Sequence, residues 1–170
     1  MARSAPEGTG AASPELSERG HVRKDLGEPG GLADATDGRA VFEISVDSAT
    51  VSATCPGRGI DVSPANGHFV VLDVTASLSA DVAAGADRGQ DVFMPLVAET
   101  FDIVGPGGAV QGSTVTDASW ACFDDDELLP PFLEPGRTVT GKVVLDSVSD
   151  SGVVVYAPDG EAGWEWEFGG

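Results

Sequence analysis

Residues 68–78 read HFVVLDVTASL, and this stretch decides the fold. Every second residue from Val70 to Ala76 is apolar, and the positions between them, from Phe69 to Thr75, are only partly polar. A period of two is typical of a β-strand, because successive side chains of an extended chain point to opposite faces. Since both faces carry apolar residues, the stretch is predicted to be a central strand of a sheet.

Shorter stretches with strand periodicity lie on both sides of this one. Strands are predicted at 41–47, 50–54, 92–97, 100–104, 109–116, 138–146 and 153–157. A closing strand alternates Trp164, Trp166 and Phe168 with glutamates, so its aromatic face is predicted to be a major part of the core. Turn sequences separate the stretches about every 8–12 residues. The pattern predicts an all-β fold, an immunoglobulin-like β-sandwich of seven to nine strands, with a closed barrel as the alternative.

Residues 1–40 differ in character from the rest of the chain. They contain no aromatic residue, no apolar periodicity, and a predominance of Gly, Pro, Ser, Ala and charged residues. Such a composition buries too little surface to offset the entropy of ordering the chain. Residues 1–40 are therefore predicted to be a disordered tail or stalk linker, and residues 41–170 the sandwich domain. A short helix between Pro14 and Leu26 is the alternative for the first segment.

The chain is strongly acidic. It carries 28 Asp and Glu against 9 Lys and Arg, a net charge of -19, and the acidity belongs mostly to residues 41–170. Such a field repels polyanions, so no nucleic-acid partner is predicted, and adsorption to an anionic membrane surface is disfavoured. No apolar run approaches the roughly 20 residues that a membrane-spanning helix needs.

Cys55 and Cys122 are the two cysteines of the chain. Neither lies in a CxxC motif or in a metal-ligand spacing, so a disulfide between them is predicted, with two free thiols as the alternative. A disulfide favours an extracytoplasmic location. The first residues lack the apolar segment of a secretory signal. We therefore expect a secreted or membrane-anchored protein from which the signal has been removed, a cytoplasmic protein being the alternative.

An acidic run and three aromatic residues are the candidate binding features. Asp124, Asp125, Asp126 and Glu127 offer the oxygen ligands that Ca²⁺ prefers, although neighbouring residues of an extended chain point to opposite sides. The alternative is a solvated loop or a helix N-terminus. The aromatic residues mark a candidate partner-binding patch, or else they cap one end of the sandwich; they are Trp120, Phe123 and Phe132.

No catalytic constellation is evident in the sequence, and no cofactor is predicted. No serine lies in a nucleophile-elbow motif, and the glycines at 105–112 lack the lysine of a phosphate-binding loop. A hydrolase would need a carboxylate pair such as Asp124 with Glu127, or Glu99 with Asp102. Strand alternation is expected to put Glu99 and Asp102 on opposite faces, which argues against that pair.

The order of these elements resembles a known family. It is the bacterial immunoglobulin-like domain of unknown function often labelled "telomeric repeat-binding factor 2", which has the fold of the immunoprotective extracellular protein superfamily. The resemblance rests on Val41–Val46, Gly67–Thr75, Phe101–Gly105 and the Leu133–Leu145 block, with its Pro-Gly turn and strand. It covers roughly residues 41–168 and has no catalytic motif to transfer. It implies an extracytoplasmic domain with no known enzymatic activity.

Together these observations predict a non-enzymatic secreted or cell-surface, lipoprotein-like interaction domain. Its expected partner is a protein of the cell envelope, and a native membrane anchor would lie outside this chain. A calcium- or carbohydrate-binding β-sandwich module is the alternative function, and a carboxylate-dependent hydrolase is a weaker one. The sequence gives no oligomeric state.

Overall fold

The computed structural model describes residues 15–34, 36–56, 61–84, 94–160 and 162–169. The strands of this part of the chain are β1 (Val22–Lys24), β2 (Gly30–Ala33), β3 (Ala40–Ser52), β4 (Cys55–Pro56), β5 (Asp61–Val62), β6 (His68–Leu78), β7 (Met94–Pro95), β8 (Phe101–Val104), β9 (Phe132–Leu133), β10 (Thr138–Ser147), β11 (Gly152–Tyr156) and β12 (Trp164–Phe168). The helices are α1 (Asp81–Ala84), α2 (Asp117–Trp120) and a 3₁₀ turn (Ala98–Thr100).

Two four-stranded sheets face each other across the core. The strand order is β1-β12-β11-β8 in the first sheet and β10-β6-β3-β2 in the second. Neighbouring strands run antiparallel except β1 and β12, which run parallel. Two separate sheets packed face to face form a β-sandwich and not a closed barrel. The prediction of an all-β, immunoglobulin-like sandwich is confirmed.

The long strand β6 lies between β3 and β10, as its two apolar faces predict. The strands predicted at 41–47 and 50–54 are instead the single strand β3, which ends at Ser52 and has a bulge between Val46 and Ser48. A bulge inserts one unpaired residue and bends the strand without ending it. The predicted returning strand at 109–116 is wrong. Only Val110 makes a bridge there, to Val104, and the rest is a loop fixed by backbone and side-chain hydrogen bonds.

Aromatic side chains fill one end of the space between the sheets. The Phe42 ring lies 6.0 Å from the Tyr156 ring and 6.0 Å from the Trp164 ring, centroid to centroid. The Tyr156 ring is 5.1 Å from that of Phe101, and its hydroxyl donates to the carbonyl of Pro95 at 2.7 Å. Burial raises the pKa of the Tyr156 hydroxyl. The aromatic face of the closing strand is thus part of the core, as predicted.

Residues 15–34 and 36–40 contribute two strands to the sandwich, so the prediction of a disordered tail or stalk linker does not hold for them. β1 adds to the outer side of β12, and β2 adds to β3. Close packing explains the two glycines of β2, since a Cβ on Gly30 would lie 2.3 Å from the Trp164 ring and one on Gly31 would lie 2.1 Å from the Phe42 carbonyl oxygen. Strands of three or four residues with glycines carry no detectable periodicity. Neither does a helix form between residues 15 and 26, and residues 1–14 lie outside the described part.

An ion cluster holds residues 15–24, here called the N-terminal strap, against β12. The Arg19 guanidinium contacts both Glu165 carboxylate oxygens, at 3.0 and 3.1 Å, and His21 Nδ1 lies 3.3 Å from one of them. The Glu165 side chain is only 2% exposed. Glu165 lies on the outer face of its strand, as the alternation indicates, but the strap covers that face. Within the described residues, no helix is long and apolar enough to span a membrane.

Candidate functional site

Helix α2 presents Trp120 at one end of the sandwich. The helix begins with a capping box, in which the Thr116 hydroxyl accepts from the Ser119 amide and the Ser119 hydroxyl accepts from the Thr116 amide. These bonds satisfy amides that a helix N-terminus leaves without partners. Immediately after the helix, Cys122 is tied down by its disulfide. The Trp120 side chain is 46% exposed although its backbone is held on both sides.

The Cys55–Cys122 disulfide is present, as predicted, with 5.4 Å between the two Cα atoms. Both cysteines are buried beside Phe69 and Val144, on the face of the second sheet that points away from the central core. The disulfide therefore pins the segment after α2 over the outer side of β6 and β10. This arrangement makes a second, smaller apolar cluster beneath the helix.

Beside Trp120 lies an apolar depression of about 340 Å³, here called the Trp120 groove. Its volume falls in the range of ligand pockets in proteins. The walls come from the segment before the 3₁₀ turn, from α2, from the loop 125–131 and from β10. The lining residues are Leu96, Val97, Ala98, Ser119, Trp120, Asp125, Leu128, Leu129, Pro130, Pro131, Lys142, Val143 and Val144.

Lys142 is the one cation among these lining residues, and its charge is already engaged. Its Nζ donates to Asp73 at 2.8 Å and lies 5.4 Å from the centroid of the Phe123 ring. The hydrogen bond from Lys142, and after it the one from the Ser48 hydroxyl, lowers the pKa of Asp73. The groove therefore has apolar walls, a neutralised lysine and an acidic residue, Asp125, in its lining.

The three predicted partner-binding aromatics lie in different environments. Trp120 lines the groove, whereas Phe123 is half-buried, packs against the disulfide cluster and carries Lys142 over its ring. Phe132 is 51% exposed and follows the two prolines of the groove wall. The patch hypothesis thus remains a prediction for Trp120 and Phe132, while Phe123 has a packing role.

The acidic run is split between two environments. Carboxylate oxygens of Asp124, Asp126 and Glu127 lie within 4.8 Å of one another, and all three residues are exposed. Asp125 instead lines the groove. Ca²⁺ takes six to eight oxygens, so three exposed carboxylates would need water for the remaining positions. The predicted calcium site stays a prediction, with three of its four carboxylates placed together.

A second, polar depression of about 400 Å³ lies on the other side of Trp120. Glu99 and Asp102 both line it, together with Asp117 and Gln111. The expectation that Glu99 and Asp102 point to opposite faces is wrong, because Glu99 belongs to the 3₁₀ turn and not to strand β8. Strand alternation does not extend across that boundary.

The buried carboxylate of Asp146 was missed by the sequence reading. It is 0% exposed and accepts hydrogen bonds from the amides of Ala65 and Asn66, at 2.7 and 2.8 Å, and from the Thr116 hydroxyl at 2.6 Å. These bonds join the loop before β6 to the N-cap of α2. From the sequence, an aspartate in a strand is expected to face solvent. Nothing in the sequence indicates that a loop covers Asp146. Trp120, predicted as part of a partner-binding patch, is the residue of the sequence analysis that points to the groove.

No protein-family model and no curated protein matches this sequence. Among solved structures, the chain is similar to the crystal structure of MPT63, a secreted protein from Mycobacterium tuberculosis. The TM-score is 0.54 at 17% sequence identity, and the match covers 86% of this chain and 96% of that one. That coverage exceeds what residues 41–170 alone could supply, in agreement with the folded strap. The likeness gives no support to the label "telomeric repeat-binding factor 2"; what it shows is that this chain shares the sandwich fold of MPT63.

Proposed function

We propose that the chain is an extracytoplasmic, non-enzymatic domain that binds a protein partner at the Trp120 groove. The observation that carries the proposal is the groove itself, an apolar depression with a half-exposed tryptophan on a backbone held by a capping box and a disulfide. Preorganised aromatic residues next to an apolar pocket are the usual energetic centre of protein interfaces. A proline-rich wall adds rigidity, because it loses little entropy on binding.

Two observations support the extracytoplasmic location. The Cys55–Cys122 disulfide is of the kind that persists in oxidising compartments, and the structural neighbour MPT63 is a secreted protein. Intact mass and thiol alkylation of the natively produced protein, with and without reductant, test the location. Thiols that react only after reduction agree with export, whereas two freely reactive thiols point to the cytosol and contradict the proposal.

Selection from a random-peptide display library tests the binding surface. The chain is immobilised, and enriched peptides are then measured against Trp120→Ala and Leu32→Ala. Leu32 is a matched control, because it is 51% exposed and lies on β2, at the opposite edge of the second sheet from β10. We expect Trp120→Ala to weaken binding at least about tenfold and Leu32→Ala to leave it unchanged. Equal binding by all three proteins, or no enrichment, contradicts the proposal.

A calcium- or carbohydrate-binding module is the second candidate function. It is favoured by the three clustered carboxylates and by the polar depression, where carboxylates and an amide lie beside the Trp120 ring. Calorimetry with Ca²⁺ and with a panel of glycans separates it from the first candidate. Saturable heat that Asp126→Asn removes supports the cation site, and saturable heat with a glycan that Gln111→Ala removes supports the depression. No heat in either titration contradicts the second candidate.

A further inference from the structure

At the outer edge of β10, the backbone groups before and after Val144 are hydrogen-bonded to other segments. The amide of Lys142 donates to the Glu127 carbonyl at 2.9 Å, and the Lys142 carbonyl accepts from the Leu129 amide at 2.9 Å. Four residues further on, the amide of Asp146 donates to the Thr114 carbonyl at 2.7 Å. In an antiparallel strand, backbone groups point alternately to one side and the other. The amide and carbonyl of Val144 therefore point to this same outer edge.

Neither of these two backbone groups of Val144 has a hydrogen-bond partner on this edge among the described residues. The proline pair explains the gap. Residues 127–129 run parallel to β10, and continuing this pairing would require an amide hydrogen from residue 131 for the Val144 carbonyl. Pro131 has no amide hydrogen, and its own carbonyl accepts from Leu96 at 2.7 Å. The chain thus leaves β10 just where the groove begins.

The open edge lies inside the Trp120 groove, since Val144 is one of its lining residues and is only 4% exposed. Burial limits the access of water to these two groups, so an unpaired amide or carbonyl there costs free energy. An extended peptide satisfies both groups at once and sends every second side chain toward one face. Binding of a peptide as an added strand at a sheet edge is a common recognition mode.

Charge identifies the kind of peptide. Asp125 lines the groove, and three further exposed carboxylates, at residues 124, 126 and 127, belong to the same loop. Lys142, the lysine of the groove, pairs with Asp73, so this pair adds no net charge to the groove. The whole chain has a net charge of -19. A basic segment is complementary to this rim and is steered toward it, whereas an acidic one is repelled.

We infer that the Trp120 groove binds an extended, basic segment of a partner protein, which pairs through its backbone with Val144 of β10. An apolar side chain of the segment enters the groove beside Trp120, and Lys or Arg residues face the acidic loop. The inference rests on the proposed function and adds to it the recognition mode and the charge of the partner.

The experiment uses the tightest peptide from the display selection, resynthesised with one N-methyl group at a time. Methylation of the peptide amide that donates to the Val144 carbonyl is expected to weaken binding at least about tenfold. Methylation of either neighbouring peptide amide is expected to change binding less than about twofold. Lys or Arg to Glu changes in the peptide are expected to weaken binding by a similar factor, and added salt to weaken it further.

Amide hydrogen exchange of the protein supplies a readout at the residue itself. Exchange of the Val144 amide is expected to slow on peptide binding, whereas Val143 and Leu145, already paired with Leu72 and Val70 of β6, provide the unchanged control. If the peptide binds through Trp120 but no single N-methyl group weakens binding and exchange of the Val144 amide does not slow, strand addition is overturned. The proposed function stands in that case. Binding without a basic preference overturns the assigned charge. Absence of any Trp120-dependent peptide overturns both.

Discussion

At the scale of single residues, two aspartates, one buried and one partly exposed, organise the part of the sandwich that carries the groove. Asp146 fixes the loop before β6 and the N-cap of α2 through three charge-assisted hydrogen bonds. Asp73 and Lys142 form an ion pair on the outer face of the second sheet. These carboxylates therefore help to fix the walls of the groove, together with the apolar cluster around the disulfide.

Replacing Asp146 by Asn is expected to lower the free energy of unfolding by about 2–4 kcal/mol. The amide group has one acceptor oxygen, so its NH₂ faces a donor that the carboxylate would have accepted. Urea unfolding measures the change. Asp150→Asn, at an exposed turn position, is the control and is expected to change stability by less than about 0.5 kcal/mol. Equal effects of the two variants contradict the role of Asp146.

The lowered pKa of Asp73 gives stability a pH dependence of definite sign. A carboxyl with a lower pKa in the folded state contributes stability above its unfolded pKa, about 3.9, and loses it as the pH falls through the folded value. The free energy of unfolding is thus expected to fall more steeply below about pH 4 in the wild type than in Asp73→Asn. Because the Asp73 side chain is 43% exposed, solvent screening keeps the difference below about 1 kcal/mol. Lys142→Met should flatten the profile in the same way, and parallel profiles of all three proteins contradict the assignment.

At the scale of elements, the strands with a clear period of two were predictable and the short ones were not. β6, β10 and β12 follow from alternation alone. β1 and β2 do not, because three or four residues with glycines carry too little pattern, and their stability comes from pairing with strands more than 100 residues away or across a turn. A burial that depends on partners distant in sequence, such as that of Glu165, leaves no local signal.

Breaking the ion cluster of the N-terminal strap tests whether the strap is an integral element. Arg19→Met keeps the length of the side chain but leaves the Glu165 carboxylate buried with His21 alone, so we expect a loss of about 2–4 kcal/mol. Thermal or urea unfolding measures it. Arg23→Met is the matched control, since Arg23 pairs with Glu15 in solvent and the pair contributes less than about 1 kcal/mol. A loss no larger than that of the control would mean that the strap adds nothing to the sandwich.

At the scale of the whole molecule, the sandwich was predictable and the binding surface only in part. Trp120 and the acidic run could be identified from the sequence, because an aromatic residue and four consecutive carboxylates stand out in a segment without strand periodicity. The groove could not be, because it arises where α2, the loop 125–131 and β10 meet, and because an open backbone position such as Val144 depends on which segment lies beside the strand. The disulfide could be proposed from the count of two cysteines, but what it pins in place could not.

The net charge of -19 affects the stability of the whole fold. Repulsion among the carboxylates opposes the compact state, and salt screens it. Raising the NaCl concentration from about 0.01 M to about 0.5 M is therefore expected to raise the Tm in scanning calorimetry, by several degrees. Na₂SO₄ at equal ionic strength is the control, because it screens charges as NaCl does but is also excluded from the protein surface. Any rise in Tm beyond the rise in NaCl therefore reflects exclusion and not screening. A Tm that falls with NaCl would mean that attractive ion pairs outweigh the repulsion.

Binding at the Trp120 groove is the central claim, and a chemical-shift perturbation map of the ¹⁵N-labelled chain tests it most directly. On titration with a basic peptide from the display selection, the perturbed amides are expected to cluster at residues 96–98, 119–120, 125, 128–129 and 142–144, which line the groove. Amides of β2 and of the strap should not shift. Perturbations centred on the polar depression at 111–117, or spread evenly over the acidic surface, would contradict the claim.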